Sequence, residues 1–472
     1  MATGTVAVDV VIMAAGKGTR MKSKLPKVLH RLAGRALVHH VLDTAAALGA
    51  RSAVLITGHG AQSVEAACDV ATGGNRGLPL QVVRQEPQLG TGHAVQQAVP
   101  VLPDDGLVLV LSGDVPLTQV ETLRALRDLC AGDSLALLTL DLPDPSGYGR
   151  VLRAGQGDDA QVLRIVEHKD ATPEQRSVRE IYSGIMAVPA RLLKGWLARL
   201  DNHNAQKEYY LTDIVKFAVA DGVPVRAHRI HDEVQVAGVN SPLQLAELER
   251  AFQRRLATRL MEQGVRIADP ARFDVRGSLQ CGEDVAIDVN CVFEGAVSLG
   301  DDVSIGAHCV IANATIAAGA VIHPFTHIDG EKAGVTVGER ALVGPFARLR
   351  PGAVLGEEVH IGNFVEVKNS TLARGAKANH LAYLGDASVG ERVNYGAGSI
   401  TANYDGANKH RTVIEADVHV GSNCVLIAPV TIGAGGTVGG GSTITKDTPP
   451  GALSVARGRQ ATIPGWTRPR KK

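Results

Sequence analysis

The chain has 472 residues, 45% of them hydrophobic, which is enough for two to four domains with substantial cores and excludes a disordered chain. Lys and Arg total 49 against 48 Asp and Glu, a formal charge of +1, so no global field directs it toward nucleic acid or inserts it in a membrane. No apolar run reaches the roughly 20 residues of a membrane span, Met1 to Val8 lacks signal-like character, and six scattered cysteines without a CxxC pair read as reduced thiols of a cytoplasmic protein.

Val6 to Met13 is short, β-branched and apolar apart from Asp9, the pattern of a buried parallel strand. It runs into Ala14-Ala15-Gly16-Lys17-Gly18-Thr19-Arg20-Met21, then Pro26-Lys27. A strand feeding a Gly-rich loop is an arrangement for cradling phosphate, although the spacing is neither that of a P-loop nor that of a dinucleotide fingerprint. Apolar strands at Ala53 to Thr57, Leu107 to Ser112 and Leu135 to Leu140 alternate with helical patterns at Ala36 to Leu48 and Val120 to Leu129. This alternation predicts an α/β domain over residues 1–240, a parallel sheet covered by helices, with ligands beyond the strand ends. Asp114, just past the strand 107–112, stands where a carboxylate holds Mg²⁺ against phosphate oxygens or, more plainly, caps a turn. Asn240 is a second metal ligand or a helix N-cap.

Residues 241–263 read as a linking helix: Leu245, Leu248, Phe252, Leu256 and Leu260 share one face, Pro242 sits in the first turn and Gly264 follows the end. Over 264–472 the chain moves in steps of six. Ile287, Phe293, Leu299, Ile305 and Ile311 form one run, Val337 to Val367 a second, and Ile414 to Ile444 a third. Six is a multiple of two and not of 3.6, so these are short strands, the signature of a β-helix. Gly commonly follows the apolar residue and is expected to make the corner. The phase slips near Ile316 to Gly334, and Thr401 to His410 is a longer excursion.

The order GxGTRM then PK, with Gln88-Leu89-Gly90-Thr91-Gly92-His93, Gly113-Asp114-Val115-Pro116-Leu117, Gly147-Tyr148-Gly149-Arg150 and Ile165-Val166-Glu167-His168-Lys169-Asp170, resembles the bacterial bifunctional N-acetylglucosamine-1-phosphate uridyltransferases / glucosamine-1-phosphate N-acetyltransferases over nearly the whole chain. The resemblance implies a Rossmann-like nucleotidyltransferase domain followed by a left-handed parallel β-helix of hexapeptide repeats, assembled as a homotrimer. It implies acetyl transfer from acetyl-CoA to glucosamine 1-phosphate, then uridylyl transfer from UTP to N-acetylglucosamine 1-phosphate with Mg²⁺. A single-activity sugar-phosphate nucleotidyltransferase with a structural coil is the alternative.

By the same resemblance Met13, Ala14, Ala15, Gly16 and Lys27 contact the nucleotide, Gln85, Gly90 and Thr91 read the uracil, Gly149 and Glu167 hold the sugar, and Asp114 and Asn240 bind the metal, with Ser112 and Gly113 alongside. Ser112 stands where Tyr is common, and Tyr182 where Asn is common. In the coil, His380 is the general base, a role the ordinary titration range of an imidazole suits; apart from the resemblance, Glu366 is either the acid that orients it or a surface acid. Arg350, Lys368, Tyr383 and Asn394 contact the sugar phosphate, and Ala397, Asn403, Tyr404, Ser422, Gly440 and Arg457 contact acetyl-CoA. The basic tail Arg468 to Lys472 reads as a solvated terminus.

Overall fold

The computed structural model describes residues 6–69, 77–155, 157, 160–469 and 471; Arg470 and Lys472 of the basic tail lie outside them. The chain divides into two compact units, Met1–Phe252 and Gln253–Lys472.

The first unit is built on one sheet whose central order is Val225–Ile230, Leu135–Asp141, Glu180–Pro189, Leu107–Ser112, Val8–Met13, Ser52–Thr57 and Leu80–Arg84. Val10, Val11, Ile12, Leu109 and Val110 are fully buried, because helices cover both faces and every side chain of a central strand points into one core or the other. The sheet is mixed, not parallel. Glu180–Pro189 runs antiparallel between Leu107–Ser112 and Leu135–Asp141, and the hairpin Arg150–Ala154 with Gln161–Val166 hangs from its end. Alternating hydrophobicity does not encode strand direction, so the departure was invisible in the pattern. Because Met13 pairs with Ser112, the strands 8–13 and 107–112 end side by side, and the Gly loop and Asp114 leave the sheet together.

The long helix Pro242–Glu262 contributes to both units. Leu245, Leu248 and Phe252 join Met21, Leu32 and Leu37 in one core, while Ala257 and Leu260 join Phe273 and Val275 in another. Its N-cap is Ser241, whose hydroxyl accepts from the Gln244 amide, so Asn240 is released from that task.

The second unit is a coil in which one turn supplies three short strands, such as Leu342–Val343, Arg348–Leu349 and Val354–Leu355. Each strand pairs in parallel with its counterpart a turn later; Val343 lies against Ile361, eighteen positions on. The three runs of six are all buried at their apolar positions. Two further irregularities are five-residue steps, Val367 to Leu372 and Leu384 to Val389, each of which keeps the apolar residue inside the coil. The excursion lies between the strands Ile400–Ala402 and Thr412–Ile414, closed by a bridge between Tyr404 and Lys409. The Asp405 carboxylate accepts from the Ala407 and Asn408 amides and lies 2.7 Å from His410 Nε2, and these bonds hold it well below the ordinary carboxylate range.

The glycines of the repeat have a different purpose from the one expected. Of Gly300, Gly306, Gly338, Gly344, Gly356, Gly362, Gly421, Gly433 and Gly439, only Gly344 has positive φ. The left-handed corner residue comes two positions later; in seven of the nine it carries a side chain (Asp302, His308, Arg340, Phe346, Glu358, Phe364, Asn423), and after Gly433 and Gly439 it is Gly435 and Gly441. Backbone bonds between turns fix these corners; the amides of Asp302, His308 and Arg340 donate to Glu283, Val289 and Ala318 carbonyls. The glycine is instead a clearance device. A Cβ at Gly421 would lie 2.6 Å from the Gly440 nitrogen, and one at Gly306 2.7 Å from the Pro324 nitrogen. Since the obstacle is backbone, Gly421→Ala should lower stability by about 1–3 kcal/mol. Gly195, in the helix Ala190–Leu197 with open space around it, should gain about 0.5–1 kcal/mol as Gly195→Ala. Thermal melts of the two variants should therefore shift in opposite directions.

Candidate functional site

In the first unit a pocket of about 280 Å³ opens at the strand ends, lined by Met13 to Gly16, Lys27, Gln85, Gly90, Thr91, Ser112 and Asp114. Lys27 Nζ lies 2.5 Å from Asp114 Oδ2 and 3.1 Å from Asn240 Oδ1. Ser112 Oγ donates to the other carboxylate oxygen at 2.6 Å, and the Val239 amide donates to the Asp114 carbonyl at 2.9 Å. Two oxygens from distant segments thus converge on one cation beside a Gly-rich loop. This is the chemistry of a hard divalent ion that takes few protein ligands and completes its shell with phosphate and water. Among the described residues no group of three or more His, Cys, Asp or Glu side chains is placed to hold a metal.

Gln85 is buried, and its amide nitrogen lies 2.9 Å from the Gly90 carbonyl and 3.2 Å from His93 Nδ1. Gly90 has φ +110°, and a Cβ there would meet the Tyr209 carbonyl at 2.6 Å. The Thr91 hydroxyl accepts from the Leu211 amide at 3.1 Å.

A second hollow of about 210 Å³ shares Met13 and Thr91 with this pocket and is lined by Gly149, Glu167, Tyr182 and Thr212. Burial pushes the Glu167 carboxyl up, and the Thr212 hydroxyl, donating at 2.9 Å, opposes that shift. The Tyr182 hydroxyl is buried, has no partner among the described residues, and is pushed well above its ordinary range by burial. The departing position therefore still lines the hollow, with its hydroxyl buried and unpartnered.

In the coil, Arg350 Nη1 contacts Glu366 Oε1 at 2.8 Å. Lys368 is crowded by Lys409, which lowers its pKa, with burial and Arg350 adding to the effect. Asp386 lies among them, accepting from Asn369 at 2.5 Å and from Asn403. Three cations against two carboxylates, Glu366 and Asp386, form a candidate site for an anion. His380 is exposed, ends the strand Lys377–His380 and makes no side-chain hydrogen bond among the described residues; the left-handed residue Leu381 turns the chain to the next wall, where Tyr383 lies. Glu366 does not orient His380, because its carboxylate is taken by Arg350 and, at 3.6 Å, Arg348. Asn394 lies 3.3 Å from a His419 ring nitrogen, on the same wall as His380. Ala397, Ser422 and Gly440 lie on successive turns, the first two accepting from Asn423 and Gly441 amides and the third from Arg457 Nη1 at 2.6 Å. Asn403 faces Asp386 instead, and Tyr404 is exposed, its hydroxyl donating to the Gly406 carbonyl at 2.6 Å.

A MobA-like NTP transferase profile matches residues 10–173, and a bacterial transferase hexapeptide profile matches 334–369 and 411–446. The chain is 79% identical over 464 residues to a Polaromonas naphthalenivorans protein named bifunctional protein GlmU, with 98% of each chain covered. It is 56% identical to the Aromatoleum aromaticum protein of the same name, covering 98% of this chain and 99% of that one. The chain belongs to the bifunctional GlmU family.

The candidate site residues fall in two groups, each gathered in its own unit. Two contributors escaped the sequence reading. Lys409 lies in the excursion, where a charge reads as a solvated loop residue; only its placement beside Lys368 reveals it. His93 sits inside a quoted motif, yet nothing in the sequence indicates that its ring faces Gln85.

The raised Glu167 has a definite pH consequence. Between the ordinary carboxyl range and its raised value, the folded protein keeps a proton that the unfolded chain has released, so stability falls as pH rises through that window. Glu167→Gln should melt higher than the parent at pH 7, and the difference should shrink toward pH 4.5, read by melts across that range.

Proposed function

We propose that the second unit transfers an acetyl group from acetyl-CoA to glucosamine 1-phosphate, and that the first unit then joins the product to UTP, giving UDP-N-acetylglucosamine and pyrophosphate for cell-envelope polysaccharide. The observation that carries this reading is the convergence of Asp114 and Asn240 on one cation beside the Gly loop, in a chain that also contains the Arg350, Lys368 and Lys409 anion site. Identity of 79% and 56% over 98% of the chain to relatives named bifunctional supports two activities in one polypeptide.

In the first unit the Gly16 to Gly18 loop offers backbone N–H groups to the triphosphate, and Lys27 turns its charge to phosphate oxygens. Asp114 and Asn240 would hold Mg²⁺, which when bound would supply neutralising charge to the phosphates and the leaving pyrophosphate. Ser112 fixes the Asp114 carboxylate, and Gln85, Gly90 and Thr91 receive the base. Gly149, Glu167 and Tyr182 line the sugar's place and aim its 1-phosphate oxygen at the α-phosphorus of UTP. One P–O bond forms, the bond to pyrophosphate breaks, and no covalent enzyme intermediate is needed.

In the second unit Arg350, Lys368 and Lys409 hold the sugar phosphate while His380 takes a proton from the amine. The amine nitrogen bonds to the thioester carbon, the C–S bond breaks and the coenzyme leaves as its thiolate, to be protonated to the thiol. Tyr383 and Asn394 contact the sugar, and Ala397, Asn403, Tyr404, Ser422, Gly440 and Arg457 the coenzyme.

Assembly as a homotrimer completes this second site. Phe325, Phe346 and Phe364 are stacked on successive corners with centroids 4.9 and 5.5 Å apart, all exposed, and the ladder continues to exposed Leu381 beside His380. Such an apolar edge in a lone chain supports burial against another copy. Among the described residues no helix is long and apolar enough to cross a membrane, and the six free cysteines fit a reducing cytoplasm where UTP and acetyl-CoA are made.

A mass-spectrometric product assay with acetyl-CoA and UTP omitted in turn tests the reading. His380→Ala should lower acetyl transfer by about 10²–10⁴-fold and spare uridylyl transfer. Asp114→Ala should do the reverse, with uridylyl transfer down by at least about 10³-fold. Pyrophosphate release without any acetylated product in the parent would leave a single-activity nucleotidyltransferase. Light scattering should give three times the chain mass.

A further inference from the structure

The contacts of Gln85 decide which end of its amide a ligand meets. Its terminal nitrogen lies 2.9 Å from the Gly90 carbonyl oxygen, which can only accept, and 3.2 Å from Nδ1 of His93. Both amide hydrogens are therefore committed, and His93 keeps a lone pair on Nδ1 with its proton on Nε2. The atom left for the pocket is Oε1, an acceptor. The two partners are themselves fixed. Gly90 is held by the close approach of the Tyr209 backbone, and His93 sits in the first turn of the helix Thr91–Ala98 with its ring 6.2 Å from that of Tyr209.

We propose that His93 is a specificity-determining positioning residue: it holds Gln85 with its oxygen toward the pocket, and so selects a pyrimidine whose ring N3 carries a hydrogen over one whose N3 carries a lone pair. The proposal rests on the uridylyl-transfer reading and adds to it the reason UTP is taken and CTP refused. Uracil N3–H donates to Oε1. Cytosine N3 would face Oε1 acceptor to acceptor. Turning the amide over does not rescue cytosine, because Oε1 would then oppose the Gly90 carbonyl, which can only accept, and would force His93 to change tautomer. Sites that pair a buried polar group with a substrate N–H reject the analogue lacking it by factors of about 10⁴–10⁵. Here the rejection is set by a ring that does not line the pocket.

The test is kcat/KM for UTP and for CTP with N-acetylglucosamine 1-phosphate and Mg²⁺, on the full chain. His93→Leu, which lacks an acceptor, should lower the UTP/CTP ratio at least about tenfold and leave KM for the sugar phosphate unchanged. His93→Lys presents only donors and should lower the ratio in the same way, which keeps the test open if the leucine variant does not fold. His93→Asn carries an amide oxygen close to the Nδ1 position and should hold the ratio within about threefold of the parent. Equal losses on both nucleotides in the leucine or lysine variant, with the ratio intact, would overturn the proposal. A parent protein with no uridylyl transfer at all would overturn the reading beneath it as well, and so be told apart.

Discussion

The ammonium of Lys27, 2.5 Å from Asp114 and 3.1 Å from Asn240, ties together three segments separated by up to 213 positions. Each arrives for its own reason. Lys27 follows the Gly loop out of the first strand, Asp114 leaves the neighbouring strand, and Asn240 ends the segment before the long helix, where Ser241 has taken over the capping. On the protein side Ser112 anchors the Asp114 carboxylate, and the bond from the Val239 amide to the Asp114 carbonyl joins the two segments that carry the oxygens. That preorganisation is what an in-line transfer with little covalent chemistry asks of a protein.

The second site uses charge in the opposite sense. Arg350, Lys368 and Lys409 are crowded with fewer carboxylates than they need: Glu366 serves Arg350, and Asp386 is shared with two asparagine amides. Like charges held close together by a stiff scaffold are unfavourable until an anion arrives, and a coil whose turns are bonded above and below is stiff enough to hold them.

Much of this was readable in the sequence. A six-residue period has one structural solution, and its buried positions followed directly from it. The motifs after the first strand located Asp114, Lys27, Gln85 and Glu167. What could not be read was anything set by contact across the chain. The antiparallel strand Glu180–Pro189 is buried along its length like its neighbours, and burial carries no strand direction. The role of the repeat glycines depends on how closely the next turn passes, and Glu366 resembled a free acid until Arg350 was placed beside it. Lys409 and His93 are picked out only by the neighbours they meet, Lys368 and Gln85, and neither charge nor spacing marks them.

The clearance at Gly421 and Gly306 has a wider consequence. With the flat walls this close to contact, extra residues have room only at the bends. That is where the detour from Asn403 to Arg411 leaves the coil, and Tyr395 still pairs with Val420 in step on either side of it. The architecture therefore resembles a spiral stair whose landings can be enlarged without moving a tread, so such a chain can acquire new chemistry by lengthening a bend while the pitch that aligns its older groups stays fixed.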